Sequence, residues 1–258
     1  MRNFLIIPIL FIFLASCSNS ENFDIPSISK LEKLEEHSNQ FIKGIYSYDN
    51  GIHVAIGFGI ANSIMVVGEG GNIIIDTTDD VSQAKEVLNE FQKINQNPIK
   101  AIIYTHNHGD HVFGASEFYN AQEEKPLVIA HSTTAEKVEK ILGIINPIIT
   151  IRSGKMFGTN LDEGELINVG LGPYLSAGRS SPGYIAPTMT FEKELKLEIA
   201  GHKVELYHAP GETDDQIFVW FPELSALMPG DNFYTTFPNL YTIRGLSLIH
   251  ISEPTRLS

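Results

Sequence analysis

The stretch "THNHGDH", Thr105–His111, directly follows the apolar run "IKAIIY" at 99–104. The apolar run predicts a buried strand, so the histidines and the acid belong to the loop that leaves its end. His106 and His108 are two positions apart, and in an extended segment their side chains point the same way. A glycine then permits a sharp turn before the next acid and histidine. We interpret this loop as a metal site with the ligands His106, His108, Asp110 and His111.

Imidazole and carboxylate ligands together favour zinc. One tetrahedral zinc ion takes four ligands, but one short loop cannot enclose a single ion. We therefore expect two metal ions roughly 3.5–4 Å apart that share a water. The alternative is that some of these histidines are ordinary surface residues. Four ligand-type residues within six positions argue against that interpretation.

Two later acids stand in matching contexts. Glu212 follows Pro-Gly in "HAPGETDDQ", and Asp231 follows Pro-Gly in "MPGDNFY". Each acid adjoins an apolar strand segment, and the glycine before it lets the backbone come close to a neighbour. Alone, either acid could be a solvated turn residue, but the repeated context favours metal ligation. With Asp110 they place three negative charges against the four positive charges of two zinc ions. The small positive surplus suits an anionic substrate and a bound hydroxide, because zinc lowers the pKa of bound water to about 7.

The composition describes a globular protein with an acidic surface. The chain has 258 residues, of which 43% are hydrophobic, which is enough for a substantial core. It carries 31 acidic and 18 basic residues, a formal net charge of -13. This charge repels phosphate backbones, so we do not expect nucleic acid as a partner.

The N-terminus has the pattern of an export signal. The apolar run at 4–14 is too short to span a bilayer and has the length of a signal-peptide core. Small residues then precede Cys17, the single cysteine of the chain, and resemble a bacterial lipobox. We expect residues 1–17 to be a lipoprotein signal with Cys17 acylated, and the protein to be exported and lipid-anchored in the outer membrane facing the periplasm. The alternative is an ordinary secretory signal with an incidental cysteine.

The remaining chain alternates strand-like and helix-like segments. Residues 18–40 predict a tether and a short helix, and the turn Glu69–Asn72 between two apolar runs predicts a hairpin. The segment "DDVSQAKEVLNEFQKI" at 79–94 predicts an amphipathic helix. Strands interleaved with helices predict an α/β fold, in which helices cover layers of sheet.

Two later segments carry further predictions. The stretch 145–185 is rich in Gly, Pro and Ser and predicts a long loop that faces the substrate. "TMTFEKELKLEIAGHKVELYHAPG", at 188–211, predicts a β-meander that turns at Gly201–His202.

"THNHGDH" resembles the H-x-H-x-D-H signature of the metallo-β-lactamase superfamily. The resemblance is closer to its alkyl/aryl-sulfatase branch, the linear alkylsulfatases that hydrolyse dodecyl sulfate and related esters. In most of the superfamily a histidine stands where this chain has Glu212, whereas the sulfatase branch is similar to the "PGET" found here. The resemblance implies an αββα sandwich, with residues 41–245 forming a catalytic domain that is incomplete at its C-terminus.

The resemblance also implies a role for each site residue. One zinc ion would bind His106, His108 and Glu212; the other would bind Asp110 and His111; and Asp231 would bridge the two ions. Water or hydroxide held at the metals by Asp110 and Asp231 would attack the ester. Asn239 and Arg244, in "NLYTIR", would hold the sulfate group. An amide and a planar guanidinium can bind sulfate oxygens and neutralise charge as the leaving oxygen departs.

The C-terminus departs from the family pattern. The family continues beyond "YTIRG", supplies a further zinc-binding histidine, and adds domains used for dimerisation and chain binding. Here the tail "LSLIHISEPTRLS", residues 246–258, resembles translated sequencing-adapter sequence on a truncated gene. We do not expect His250 to replace the missing ligand, because it lies only six residues past Arg244. We expect weak occupancy of the second zinc site in this chain, and a homodimer in the full-length form.

These patterns favour a zinc-dependent alkylsulfatase that acts on a small anionic alkyl sulfate. One alternative keeps the fold and changes the substrate to a β-lactam, a lactone or a phosphoester. The other is a lipoprotein whose site binds ligand without catalysis.

Overall fold

The computed structural model describes residues 30–157, 168–169, 172 and 182–233. The predictions for Cys17, Asn239, Arg244 and the tail 246–258 lie outside the described residues.

The described ranges contain six α-helices and eleven strands. The helices are α1 Lys30–Ser38, α2 Val81–Ile94, α3 Gly109–Val112, α4 Ala115–Asn120, α5 Thr134–Leu142 and α6 Asn146–Met156. The strands are β1 Gly44–Tyr48, β2 Ile52–Ile56, β3 Ser63–Gly68, β4 Gly71–Ile75, β5 Ile99–Ile103, β6 Leu127–His131, β7 Met189–Phe191, β8 Glu194–Ile199, β9 His202–His208, β10 Ile217–Phe221 and β11 Ala226–Met228. None of the helices in these ranges has both the length and the apolar content needed to cross a membrane.

The strands form two sheets that pack face to face. Seven strands follow the order β1-β2-β3-β4-β5-β6-β7, and four follow the order β11-β10-β9-β8. Pairing in the larger sheet is antiparallel from β1 to β4 and parallel from β4 to β7. The four-stranded sheet is antiparallel throughout. The α/β sandwich predicted from the sequence is confirmed.

Alternating side chains place the two cores on opposite faces of the larger sheet. Ile74 and Ile102 pack with buried residues of α2, α4 and α5. Ile73, Ile75 and Ile103 pack instead against the smaller sheet. Successive strand residues point to opposite faces, so a strand that is buried on both faces is apolar throughout. This burial fixes the ends of β4 and β5, from which the site loops emerge.

Helix α2 agrees with the predicted amphipathic segment. The side chain of Asp80 caps it by accepting a hydrogen bond from the backbone N–H of Gln83 at 2.9 Å, a contact that is typically worth about 1 kcal/mol. Val87, Leu88 and Phe91 are buried on one face, against the larger sheet. The predicted hairpin is confirmed as well, with Gly68 paired to Gly71 across the β3–β4 turn.

Two predictions from the sequence are corrected, and one strand was missed. The stretch predicted as a loop contains helix α6, with Pro147 in its first turn. Proline is tolerated there because the backbone N–H groups of the first turn have no partner within the helix, so the N–H that proline lacks is not missed. Strand β7 joins the larger sheet beside β6 instead of opening the meander of the smaller one. Strand β1 was not predicted, and its side chains are half-buried or exposed. The meander turn at Gly201 is confirmed between β8 and β9.

Candidate metal centre

The histidine loop lies at the C-terminal ends of the parallel strands. The loop follows β5 and enters the short helix α3. His106, His108 and His111 are all buried, and the side chain of His106 is fully enclosed. The C-terminal edge of parallel strands is where loops converge in α/β proteins, which explains how one short segment concentrates its side chains there.

Asp231 lies between two of the histidines. Its Oδ1 is 3.3 Å from Nε2 of His111, and its Oδ2 is 4.0 Å from Nε2 of His106. The two imidazole centroids are 4.1 Å apart. Among the described residues, two groups bring three potential ligand atoms within 4.8 Å of one another, and Asp231 belongs to both. The groups are His106, His108 and Asp231, and Asp110, His111 and Asp231.

Glu212 approaches the cluster from another loop. Its Oε1 is 3.6 Å from Nδ1 of His108, although Glu212 belongs to neither of the two groups. The loops of Glu212 and Asp231 are tied together by Asn232. The Asn232 Oδ1 accepts a hydrogen bond from the backbone N–H of Glu212 at 3.1 Å, and its Nδ2 donates to the carbonyl of Ala209 at 2.7 Å. The structure therefore brings all six predicted ligands to one place from three separate loops.

Gly230 lets the loop of Asp231 approach the histidine loop. A Cβ at this position would lie 2.3 Å from Nε2 of Gln216 and 2.8 Å from Cβ of Thr105. Its φ of 55° is also in the left-handed region, which favours glycine. This is the close approach that the Pro-Gly context predicted for the acid.

Asp76 is a site residue that the sequence analysis missed. It follows β4, is buried, and accepts a hydrogen bond from Nδ1 of His111 at 2.7 Å. It also accepts bonds from the backbone N–H and the hydroxyl of Thr105, both at 2.8 Å. A carboxylate only accepts, so Nδ1 of His111 carries the proton and Nε2 is left as the ligand atom. The sequence offers only a weak signal: in "NIIIDTT" an acid ends an apolar run, whereas Glu212 and Asp231 each follow Pro-Gly.

The backbone at Asp76 is strained. Its φ is 56°, and Thr78 has a φ of 70°. Residues other than glycine rarely adopt these values, which cost of order 1–3 kcal/mol each. The three hydrogen bonds that Asp76 accepts offset this cost and fix the carboxylate against the histidine loop.

The two central histidines have opposite pKa shifts. Burial, followed by the proximity of His111, lowers the pKa of His106 to about 4. Burial also disfavours the charged form of His111, but attraction to Asp231, Asp76 and Asp110 outweighs it and raises its pKa well above the ordinary value. In the metal-free protein, the imidazolium of His111 therefore offsets part of the negative charge of the carboxylates.

The donor set fits a divalent cation. Within the described part of the chain, Nε2 of His106 is buried and has no hydrogen-bond partner, and Nε2 of His111 is buried and faces carboxylate oxygens of Asp110 and Asp231 at 3.4 and 3.3 Å. Buried polar atoms normally have partners, and two imidazole nitrogens that face a shared carboxylate are suitable zinc ligands. Two metal-ligand groups that share Asp231 agree with the expectation of a two-metal centre.

A second network of buried hydrogen bonds holds the histidine loop in place. Asn107 lies between two of the ligands, and its Nδ2 donates to Oδ1 of Asp215. Asp215 is fully buried, and its Oδ2 accepts a hydrogen bond from the hydroxyl of Thr134 at 2.7 Å. These contacts join the loop to α5 and to the loop before β10. The sequence analysis did not single out these residues, because their pairing depends on tertiary contacts.

His131, the remaining buried histidine among the described residues, lies outside the metal-ligand groups. His131 stacks on His208 with the ring centroids 4.1 Å apart, and its Nε2 lies 3.1 Å from the carbonyl oxygen of Glu192. Neither ring belongs to the two metal-ligand groups. These contacts give His131 a structural role.

Curated relatives carry sulfatase names. A linear primary-alkylsulfatase of Pseudomonas sp. (strain ATCC 19151) is 38% identical over 187 residues, which cover 70% of this chain and 35% of the relative. The alkyl/aryl-sulfatase BDS1 of Saccharomyces cerevisiae is 25% identical, with 80% of this chain and 33% of the relative covered. The chain thus spans about a third of the length of these relatives.

A solved structure shares the fold. The stereoselective inverting sec-alkylsulfatase Pisa1 from Pseudomonas sp. superposes with a TM-score of 0.67 at 21% identity, over 74% of this chain and 31% of that one. The family model of the metallo-beta-lactamase superfamily matches residues 56–246, which include all six predicted ligands. On that match and that shared fold, the chain belongs to the metallo-beta-lactamase superfamily.

Proposed function

We propose that this chain is the catalytic part of a zinc-dependent hydrolase that cleaves sulfate esters of alkyl alcohols. The observation that carries the proposal is the position of Asp231, which belongs to two histidine-containing ligand groups at the ends of parallel strands. The sulfatase names of the relatives support the choice of ester. The fold also hosts hydrolases of other substrates, so the substrate class depends on the test below.

Two zinc ions are the proposed cofactors. His106, His108 and Glu212 would hold the first ion, Asp110 and His111 the second, and Asp231 both. When bound, zinc polarises the ester oxygen and lowers the pKa of water, so that a nucleophile forms at neutral pH.

The residues of the chain orient the reactants. The side chains of Asp110 and Asp231 are 13% and 22% exposed, whereas those of the histidines beside them are nearly inaccessible. Substrate and water therefore reach the centre from the carboxylate side. There, Asp110 and Asp231 can accept hydrogen bonds from the attacking water and align it with the ester. Asp76 acts through His111 by holding its ring in one tautomer.

The sulfate group requires cationic partners. Asp110, Glu212 and Asp231 repel an anion unless bound metal compensates for their charge. We propose that Asn239 and Arg244, outside the described residues, hold the sulfate oxygens. Arg244 would form paired hydrogen bonds with two oxygens, and Asn239 would donate one more.

The proposal extends to location and assembly. Acylation of Cys17 after export would anchor the protein to the outer membrane on the periplasmic side. The full-length form would be a homodimer. The net charge of -13 argues against nucleic acid as a partner.

The decisive experiment measures sulfate release from dodecyl sulfate together with zinc content. It compares this chain with a chimera that adds the C-terminal region of the 38% identical relative, and with Asp231→Ala in each. We expect two zinc ions and sulfate release in the chimera, weaker zinc binding in the short chain, and no turnover in the variant. A chimera that holds two zinc ions and cleaves a β-lactam, a lactone or a phosphoester, but not dodecyl sulfate, would refute the proposed substrate.

A further inference from the structure

Asp215 is a fully buried acid outside the set of proposed metal ligands. Its Oδ1 accepts a hydrogen bond from Nδ2 of Asn107, and its Oδ2 accepts one from the hydroxyl of Thr134 at 2.7 Å. Both donors are buried as well. Burying a carboxylate is costly, and hydrogen bonds from two polar side chains offset that cost. A carboxylate that the fold keeps here at a cost indicates a role beyond filling the core.

Asn107 connects Asp215 to two of the ligands. It stands between His106 and His108 in the chain, and the ring centroids of these two histidines are 4.5 Å apart. Each ligand is one peptide unit away from Asn107, and a peptide unit is planar and stiff. Fixing the side chain of Asn107 therefore restrains the backbone that carries both imidazoles.

Asp215 also belongs to the loop that carries Glu212. This loop is closed at its base, where the backbone N–H of Ala209 donates to the carbonyl of Gln216 at 2.8 Å. Glu212 lies three residues before Asp215 inside the closed loop, so a displacement of Asp215 is passed on to Glu212. Asp215 thus ties together the two loops that supply the histidines and the glutamate proposed for the first zinc ion.

Thr134 fixes Asp215 to a helix. It is the first residue of α5, and Val138 of the same helix is fully buried in the core between the helices and the larger sheet. A carboxylate at the start of a helix also faces the positive end of the helix dipole. Contacts with a packed helix hold a site more precisely than contacts between loops alone.

The ligands of the second ion have a separate support. The backbone carbonyl of His111 accepts hydrogen bonds from the N–H and the hydroxyl of Thr77, at 2.8 and 3.0 Å, and its ring is held by Asp76. Asp76 and Thr77 follow β4, whereas Asp215 precedes β10. Loss of Asp215 would therefore leave the contacts that hold His111 in place.

We propose that Asp215 is a positioning residue for the first zinc ion and acts through Asn107 and through the loop of Glu212. It holds the two loops that supply this ion at a fixed separation, and it does not support the ligands of the second ion. The inference rests on the two-zinc centre proposed above and assigns separate supports to its two halves.

The test measures both zinc-binding steps of this chain by competition with chelators of different affinity. The imidazole nitrogen resonances assign each step, because His106 and His108 report the first ion and His111 the second. Asp215→Ala removes both hydrogen bonds of the network. Val138→Ala is the matched control for lost stability, because it opens a cavity in the core at α5 and keeps the network. Urea unfolding of the metal-free proteins shows how much stability each variant loses.

We expect Asp215→Ala to weaken the first zinc-binding step on the order of tenfold, as is typical for residues that orient metal ligands. The second step should stay as in the parent chain. Val138→Ala should also be less stable than the parent, but it should bind both ions as the parent does.

Exchanging the two polar partners tests the hydrogen bond itself. Asn107→Asp alone places two carboxylates against each other in a buried position and should weaken the first step. When Asp215→Asn is added, the amide at position 215 can donate to the carboxylate at position 107 and accept from the hydroxyl of Thr134. The double variant should therefore recover the first step.

Four results would overturn the inference. They are an unchanged first step in Asp215→Ala, equal weakening of both steps, the same weakening in Val138→Ala, and a double variant no better than Asn107→Asp alone. A parent chain that binds no zinc would refute the two-zinc centre and this inference together. If the zinc-binding steps respond as expected but the chimera releases no sulfate, the proposed ester hydrolysis fails and the role of Asp215 stands.

Discussion

The carboxylate of Asp76 lies 2.7 Å from Nδ1 of His111 and joins the end of β4 to the histidine loop. The opposite nitrogen of the same ring is 3.4 Å from Oδ2 of Asp110 and 3.3 Å from Oδ1 of Asp231. One buried imidazole thus connects the strand framework on one side with the proposed metal ligands on the other. The geometry of the centre depends on how firmly that ring is held.

Replacing Asp76 by asparagine should weaken zinc binding at the group that contains His111. An amide retains the volume but removes the charge that fixes the tautomer, and losses of 10–100-fold in metal affinity are typical for such partners. Competition with a chromophoric chelator measures the affinity. Asp49→Asn, an exposed acid in the turn before β2, serves as the control and should bind zinc as the parent does. Unchanged zinc affinity in Asp76→Asn would show that Asp76 does not position His111.

Asp231 and Glu212 should differ in their effects on zinc stoichiometry. Asp231 belongs to both ligand groups, so Asp231→Ala should weaken the binding of both zinc ions. Glu212 lies 3.6 Å from His108, a proposed ligand of the first ion, so Glu212→Gln should weaken the binding of that ion and spare the other. Metal analysis after dialysis against a fixed free-zinc concentration gives the counts. Equal loss in the two variants would contradict the shared position of Asp231.

Gly230→Ala should destabilise the protein and lower its zinc content. The new Cβ would meet Gln216 and Thr105 at 2.3 and 2.8 Å, so the loop of Asp231 must move. Gly70→Ala is the matched control, because its φ of 66° is similar and a Cβ there meets no atom within 4 Å. We expect a cost of about 1 kcal/mol in the control, from its backbone alone. Urea unfolding should show a clearly larger loss for Gly230→Ala, and only that variant should lose zinc.

The sequence predicted the parts of the fold that local patterns determine. Apolar runs located β3, β4 and β5, and the amphipathic pattern at 79–94 located α2. The spacing of His106 and His108 after a buried strand was enough to indicate the ligand loop. These features depend on neighbouring residues, which explains why they can be read from one chain.

Tertiary contacts account for what the sequence analysis missed. Asp76 ends an apolar run as many solvated acids do, and its role appears only when β5 places His111 beside it. Strand β7 has three residues, too few for a periodic signal, and its parallel partner β6 lies about sixty positions earlier. Helix α6 was hidden by Gly, Pro and Ser in the surrounding segment, since composition alone favours a loop there.

The stability of the metal-free protein should fall at both ends of the pH range. His106 has a folded pKa of about 4, below its unfolded value of 6.5, so the unfolded chain gains the proton first. Stability is therefore lost as pH falls from about 6.5 to 4, by an amount on the order of 3 kcal/mol. The raised pKa of His111 acts in the opposite direction. The stabilisation that His111 provides is fully present below pH 6.5 and is lost as the pH rises through the folded pKa of His111.

Zinc binding should release a proton near neutral pH, because His111 must lose its proton before Nε2 can bind the metal. Calorimetric titration of zinc in buffers with different ionisation enthalpies gives the number of protons released. His111→Asn should remove this release, and it should also remove the alkaline loss of stability in urea unfolding with chelator present. His106→Asn should leave the proton release in place, because His106 is already neutral near pH 7. A release that persists in His111→Asn would assign the proton to another group and contradict the charge balance derived for this centre.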